Sequence, residues 1–167
     1  IKFLPVNEDE IEKYLLTQKI ERPLARELAA ASLGFPGRLW PFIAHPKHFH
    51  DHTAKLSLLL QKISSQTNER LRLIEGLAGQ SNSETAKNNC REFLSNLLFI
   101  VRDSLLLKSG LSSELSYPRL EPDLAFLARR HSLASLVNIL MEIRQTRRYL
   151  EQNVNPRLAL ENLVLSF

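Results

Sequence analysis

Apolar residues along this chain recur at three- and four-residue spacing, and no stretch alternates with period two for long enough to make a strand. The pattern predicts helices throughout. The first covers Asn7 to Gln18. Asn7 caps it, Glu10 closes a capping box three residues on, and Ile11, Tyr14 and Leu15 share an apolar face. The second starts near Pro23, which suits a first helical turn, and stops at Gly34, which can take the left-handed conformation of a helix end. The turn Gly34-Phe35-Pro36-Gly37 follows, then a short helix from Arg38 to Ile43 compromised by Pro41.

A longer helix is expected from Pro46 to Ser64, with Leu56, Leu59, Leu60 and Ile63 on one stripe. Thr67 caps the next, which turns Leu71, Ile74, Leu77 and Ala78 inward, and Gly79-Gln80-Ser81-Asn82 reads as a loop. The longest helix spans Ser83 to Ser109 along Ala86, Cys90, Phe93, Leu94, Leu97, Val101 and Leu105, and Gly110 ends it. Ser112 to Pro118 reads as a polar connection. A short helix covers Pro122 to His131. Another covers Ser132 to Gln152, with Leu133, Leu136, Val137, Leu140, Ile143 and Leu150 inward. Asn155 caps a last helix that has Pro156 in its first position and Leu160, Leu163, Val164 and Phe167 on its apolar face. The expected fold is all-α. A small lobe of short helices, residues 1–45, joins a larger bundle, residues 46–167, at a junction around His45 and Pro46.

Composition agrees with this reading. Leucine outnumbers valine 33 to 5, and γ-branched residues lose less rotamer freedom in helices than β-branched ones. The 167 residues suffice for one domain, or for a lobe joined to a larger one. The net charge of +4 allows an anionic partner without requiring one. Cys90 is the single cysteine, which excludes an internal disulfide and fits a reducing compartment. No apolar run reaches 18 residues and no signal-type segment opens the chain, so a membrane partner is not expected. A start at Ile1 without Met predicts a piece of a longer protein.

Candidate chemistry is sparse. His45, His48, His50 and His52 crowd eight residues and invite a metal reading. On a helix, however, only His48 and His52 share a face, no HExxH or CxxC accompanies them, and a solvated, frayed helix start is the better expectation. Cys90 lies on an apolar stripe and reads as a buried thiol. Arg102 and Asp103 interrupt the longest helix. As adjacent residues they are not expected to pair with each other, and they are read either as reaching a neighbouring helix or another protein of an assembly, or as a solvated pair on the outer face. Arg129, Arg130, Arg144, Arg147 and Arg148 make basic helix surfaces that could meet an acidic partner or nucleic acid. No catalytic grouping, phosphate loop or nucleotide fingerprint is present, and no catalytic, cofactor or metal residue is assigned.

Three stretches together resemble one family. LARELAAASLGFPGRL, Leu24 to Leu39, resembles the lid of bacterial delta-prime subunits of the DNA polymerase III clamp loader, where a helix ends in a Gly-x-Pro-Gly-Arg turn. FLSNLLFIVRDSLLLKSG, Phe93 to Gly110, is similar to the collar helix with its Arg-Asp step. The tail from Tyr149 to Phe167 resembles the family's Asn-x-Asn-x-x-Leu-x-Leu-Glu ending through Asn153, Asn155, Leu158, Leu160 and Glu161.

The resemblance implies an AAA+ lid followed by a collar domain that assembles, in the bacterial cytoplasm, with gamma/tau and delta subunits. The parent complex uses ATP to place the sliding clamp on primed DNA. This chain would carry no cofactor and no reaction centre of its own. Gly34, Pro36, Gly37 and Arg38 form the lid turn, and Arg38 falls where active relatives carry a sensor arginine. Arg102, Asp103, Asn155, Leu158 and Glu161 become candidates for the interface between subunits. A gamma/tau-type collar, a basic nucleic-acid-binding helical module and a metal-dependent enzyme built on the histidine segment are the alternatives.

Overall fold

A computed structural model describes residues 4–78, 84–152 and 154–167. The expected loop Gly79 to Asn82, the helix start at Ser83, and Asn153 lie outside the described residues. Asn7 opens helix α1 (Glu8–Thr17) by accepting the backbone N–H of Asp9 at 2.9 Å, which satisfies one of the donors a helix start leaves free. Helix α2 (Arg22–Ser32) ends with two successive left-handed residues, Leu33 (φ 52°) and Gly34 (φ 79°), where glycine alone was expected. Gly34 is constrained from outside as well. The segment at Pro5 and Val6 crosses it, Val6 N–H donates to its carbonyl at 2.8 Å, and an added Cβ would lie 2.5 Å from the Cβ of Pro5.

The helix expected from Arg38 to Ile43 is instead a 3₁₀ turn, Pro36–Leu39, running into α3 (Trp40–Ala44). Pro41 stands in the first turn of α3, where a missing N–H costs nothing, so it helps to start the helix that it was expected to compromise. His45 is extended (φ −139°), and α4 (Pro46–Ile63) starts immediately after it. Helices α5 (Thr67–Ala78), α6 (Glu84–Lys108), α7 (Glu121–Arg130), α8 (Leu133–Glu151) and α9 (Pro156–Val164) complete the order, with 3₁₀ turns Ser112–Glu114 and Pro118–Leu120 between α6 and α7. There is no strand among the described residues, and the fold is all-α.

Helix α6 is the central strut. It packs on α7 and α8, while α9 lies against α5 and α8, and α1 lies against α2. Leu94, Leu97, Ile100 and Val101 are enclosed on it, and full burial of such side chains stabilises by roughly 1.5–3 kcal/mol each. Buried side chains from Ile11 to Val164 form one continuous cluster. Tyr14, expected inward, is half exposed. On α8, Leu133 and Val137 were also expected inward but stand 45% and 47% exposed, because Leu136, Ile139 and Ile143 occupy the buried face.

Charged contacts tie helix ends together. Arg70 of α5 is buried, and its guanidinium donates to the carbonyls of Val164 and Phe167 at the end of α9 and to Thr67 Oγ1. A cation there satisfies carbonyls that the last turn leaves free and complements the helix dipole. Lys108 Nζ likewise donates to the Ala128 carbonyl near the end of α7. Arg70→Met should lower stability by about 2 kcal/mol, in the range for buried groups left unpaired. Urea unfolding would measure the loss, and Arg70→Lys should recover part of it.

Candidate docking interface and the Asp103 junction

The Arg102–Asp103 step sits within an apolar run of α6, and a charge there must find partners. It finds them in the segment between α6 and α7. Asp103 is 2% exposed. Its Oδ2 accepts from the backbone N–H of Ser116 at 2.8 Å and of Tyr117 at 3.3 Å, and its Oδ1 accepts from Ser116 Oγ at 3.2 Å. Arg102 Nη1 donates to Asp103 Oδ1 at 2.6 Å, to Ser116 Oγ at 2.9 Å and to the Glu114 carbonyl at 3.3 Å.

The two residues are therefore an internal pair, contrary to the expectation from helix spacing and to the solvated-pair reading. The reason is geometric. The segment crosses over α6 and offers both side chains the same partners, so the long arginine bends back over its neighbour. Burial pushes the Asp103 carboxyl up from its ordinary range, and the hydrogen bonds and charge of Arg102, with the hydrogen bonds of Ser116, oppose that shift.

Within the segment expected to be a polar connection, Ser112 to Glu114 and Pro118 are exposed, while Leu115, Ser116 and Tyr117 are buried. Tyr117 stacks on Phe49 of α4 at 6.1 Å between centroids and meets Phe99 of α6 edge-on at 5.9 Å. Its hydroxyl shares a 3.1 Å hydrogen bond with His52 Nε2. Burial pushes the phenol up to about 12, against the nearby positive charge of Arg38. Burial also holds the His52 imidazole below its usual pKa, helped by Lys55 and Arg38 and opposed by Glu92. At neutral pH both partners are uncharged.

The Gly34–Arg38 turn also meets this junction. The Arg38 guanidinium stacks over Phe99 at 4.6 Å. Phe42 contacts Phe49 edge-on at 5.4 Å, and Arg119 Nε donates to Glu27 Oε1 of α2 at 2.6 Å. Gly34, Pro36 and Gly37 shape the turn that delivers Arg38. Gly37 has open space where a Cβ would stand.

The other sequence candidates are dispersed. Asn155 Oδ1 accepts from the N–H groups of Arg157 and Leu158 at 3.0 and 3.3 Å and is the cap of α9. Glu161 accepts from Arg157 Nε at 2.7 Å on the same helix. Leu158 is largely exposed, so of this trio it is the one that presents apolar surface. The histidines diverge. The His45 and His48 rings lie 4.9 Å apart at the surface, His50 is exposed and His52 turns to Tyr117. No group of three or more His, Cys, Asp or Glu that could hold a metal occurs among the described residues. Cys90 is buried, and burial pushes its thiol up. Arg70, Ser116, Tyr117 and the Arg119–Glu27 pair were not singled out from sequence. Tyr117, an aromatic within a polar segment, was the one visible signal.

Two outcomes test the junction. Asp103→Ala should destabilise the chain by about 3 kcal/mol, since two buried N–H groups and a guanidinium lose their acceptor. Asp103→Asn, which keeps an acceptor, should lose less in the same chemical-denaturation assay. His52, with its folded pKa below the unfolded reference of 6.5, contributes stability that is present above pH 6.5 and lost as pH falls through the folded value. His52→Gln should therefore flatten the fall in unfolding free energy between about pH 7 and pH 5 relative to the parent chain.

Comparison with curated proteins and with solved structures returned no match. A family model did match, that of the C-terminal part of the DNA polymerase III delta subunit, over residues 50–167. The match takes in α6, the Asp103 junction and α9, and spans more than two thirds of the chain. This all-helical chain, held by a buried carboxylate between its longest helix and the segment that follows, belongs to the clamp-loader-related family defined by the C-terminal domain of the DNA polymerase III delta subunit.

Proposed function

We propose that the chain is the lid and collar region of a clamp-loader protein of delta-prime type, which docks through its collar helices with sister subunits such as gamma/tau and delta. The family match over residues 50–167 supports the clamp-loader role. The turn Gly34-Phe35-Pro36-Gly37-Arg38 supports delta-prime within it. The proposed division places a lid-like lobe at residues 1–45 and the collar at residues 46–167. ATP, the sliding clamp and primed DNA belong to the whole bacterial complex, working in the cytoplasm.

The observation that carries the docking role is the outer face of α8. Leu133, Val137 and Met141 follow one another at four-residue spacing and are 45%, 47% and 56% exposed. Residues so spaced form one stripe along a helix. Stable interfaces of this kind bury on the order of 1,600 Å² in total, so the stripe would be one part of a larger surface that takes in Leu158 of α9. Arg38, engaged over Phe99, serves in this reading to seat the lid on the collar. The name of the matched family favours a second reading, the delta subunit itself.

Sedimentation of the chain mixed with gamma/tau and delta subunits should show a larger complex. Val137→Asp with Met141→Glu should weaken it at least tenfold while leaving the thermal midpoint of the isolated chain nearly unchanged. Competition separates the two readings, since displacement of delta-prime from a reconstituted loader supports the first and displacement of delta the second. Sedimentation as an unassociated chain in every mixture would overturn both.

A further inference from the structure

A groove of about 580 Å³ lies between the lid turn, the middle of α6 and the second half of α8, and the collar-docking role makes no use of it. Its volume falls within the range of sites that enclose a ligand. Leu39, Phe42, Leu98 and Leu150 give it an apolar lining. Arg38 and Arg144 line it too, and among the described residues neither has a carboxylate within ion-pair distance. Arg38 is fixed by its ring stack on Phe99, which occupies the face of the guanidinium and leaves the N–H edge free to donate. The other two arginines of the groove are already engaged, Arg91 with Glu84 at 3.0 Å and Arg147 with Glu151 at 3.7 Å.

We propose that this groove binds a short acidic peptide segment of a partner protein, with a carboxylate on Arg38 and Arg144 and an apolar side chain against the apolar lining. Guanidinium forks match carboxylates in a two-bonded geometry, and two of them at one apolar site favour an anion with an apolar body. The length fits as well. Residues 91 to 99 of α6 line the groove, a distance of about 12 Å along a helix, which accommodates roughly three or four extended residues. A nucleic-acid strand fits less well. The carboxylates of Glu92 and Glu151 at the groove would repel a run of phosphates, whereas a peptide can place a single acidic group away from them.

The test uses the whole 167-residue chain and three fluorescein-labelled probes, read by anisotropy: the peptide Gly-Glu-Leu-Asp-Phe-Gly, its neutral counterpart with Gln and Asn, and a short oligothymidine. The acidic peptide should bind at least tenfold more tightly than the neutral one. Arg144→Gln should remove about tenfold of that affinity, and Arg38→Gln should do the same. Arg148→Gln, on the same helix but outside the groove, should leave it unchanged. Arg144 makes no hydrogen bond or ion pair within the described chain, so the thermal midpoint of its variant should match the parent. No binding of the acidic peptide, equal binding of both peptides, or equal losses from Arg144→Gln and Arg148→Gln would overturn the proposal. So would an oligothymidine that binds in place of the peptide and is weakened by Arg144→Gln.

Discussion

A carboxylate taken out of water is costly unless hydrogen bonds and an opposite charge meet it, and Asp103 determines much of this architecture for that reason. Its two oxygens are met by two backbone N–H groups, a serine hydroxyl and the Arg102 guanidinium. Those partners exist only if residues 114–117 lie across α6, so the connection to α7 cannot swing free. With it comes Tyr117, whose ring fills the space between Phe49 and Phe99 and whose hydroxyl reaches His52. The Phe99 ring in turn carries Arg38. A single buried charge thus links the longest helix, the chain leaving it, α4 and the Gly34–Arg38 turn.

The helices were largely legible in the pattern of apolar residues because each has a local signal. Asn7 and Asn155 cap as expected, Pro156 starts α9, and Leu56, Leu60 and Ile63 are buried on α4 as their spacing predicts. Long-range partners were not legible. Helix spacing alone says that Arg102 and Asp103 face apart, and only the segment folding over α6 brings them together. Arg70 was not singled out because the carbonyls it caps lie more than ninety residues away. Leu133 and Val137 were placed inward because an apolar residue does not reveal which of two faces it serves. Tertiary packing chose Leu136, Ile139 and Ile143 for the core and left the others outside. Of the interface candidates, Asn155 and Glu161 are engaged on their own helix and Asp103 is enclosed, while Leu158 keeps an open apolar surface.

The family gives these features a context. A domain related to the C-terminal part of the DNA polymerase III delta subunit belongs among clamp-loader partners, a setting that calls for a restrained core and for open surfaces. The core meets the first need, since charged contacts at the ends of α7 and α9 and the Asp103 junction restrain parts of the chain that would otherwise loosen. The apolar outer face of α8 is what the proposed docking would use for the second. The Gly34–Arg38 turn is braced through its arginine and α2 through the Arg119–Glu27 pair, so any motion of α2 and this turn against the later helices has to break identifiable contacts.

Native-state hydrogen exchange at the Ser116 and Tyr117 amides tests the role of Asp103 most directly. If the Asp103 carboxylate holds this segment against α6, the two amides should exchange only through global unfolding, as slowly as those in the middle of α6, although they lie outside any helix. Exchange at the rate of an ordinary surface loop, with the helices still protected, would contradict that role.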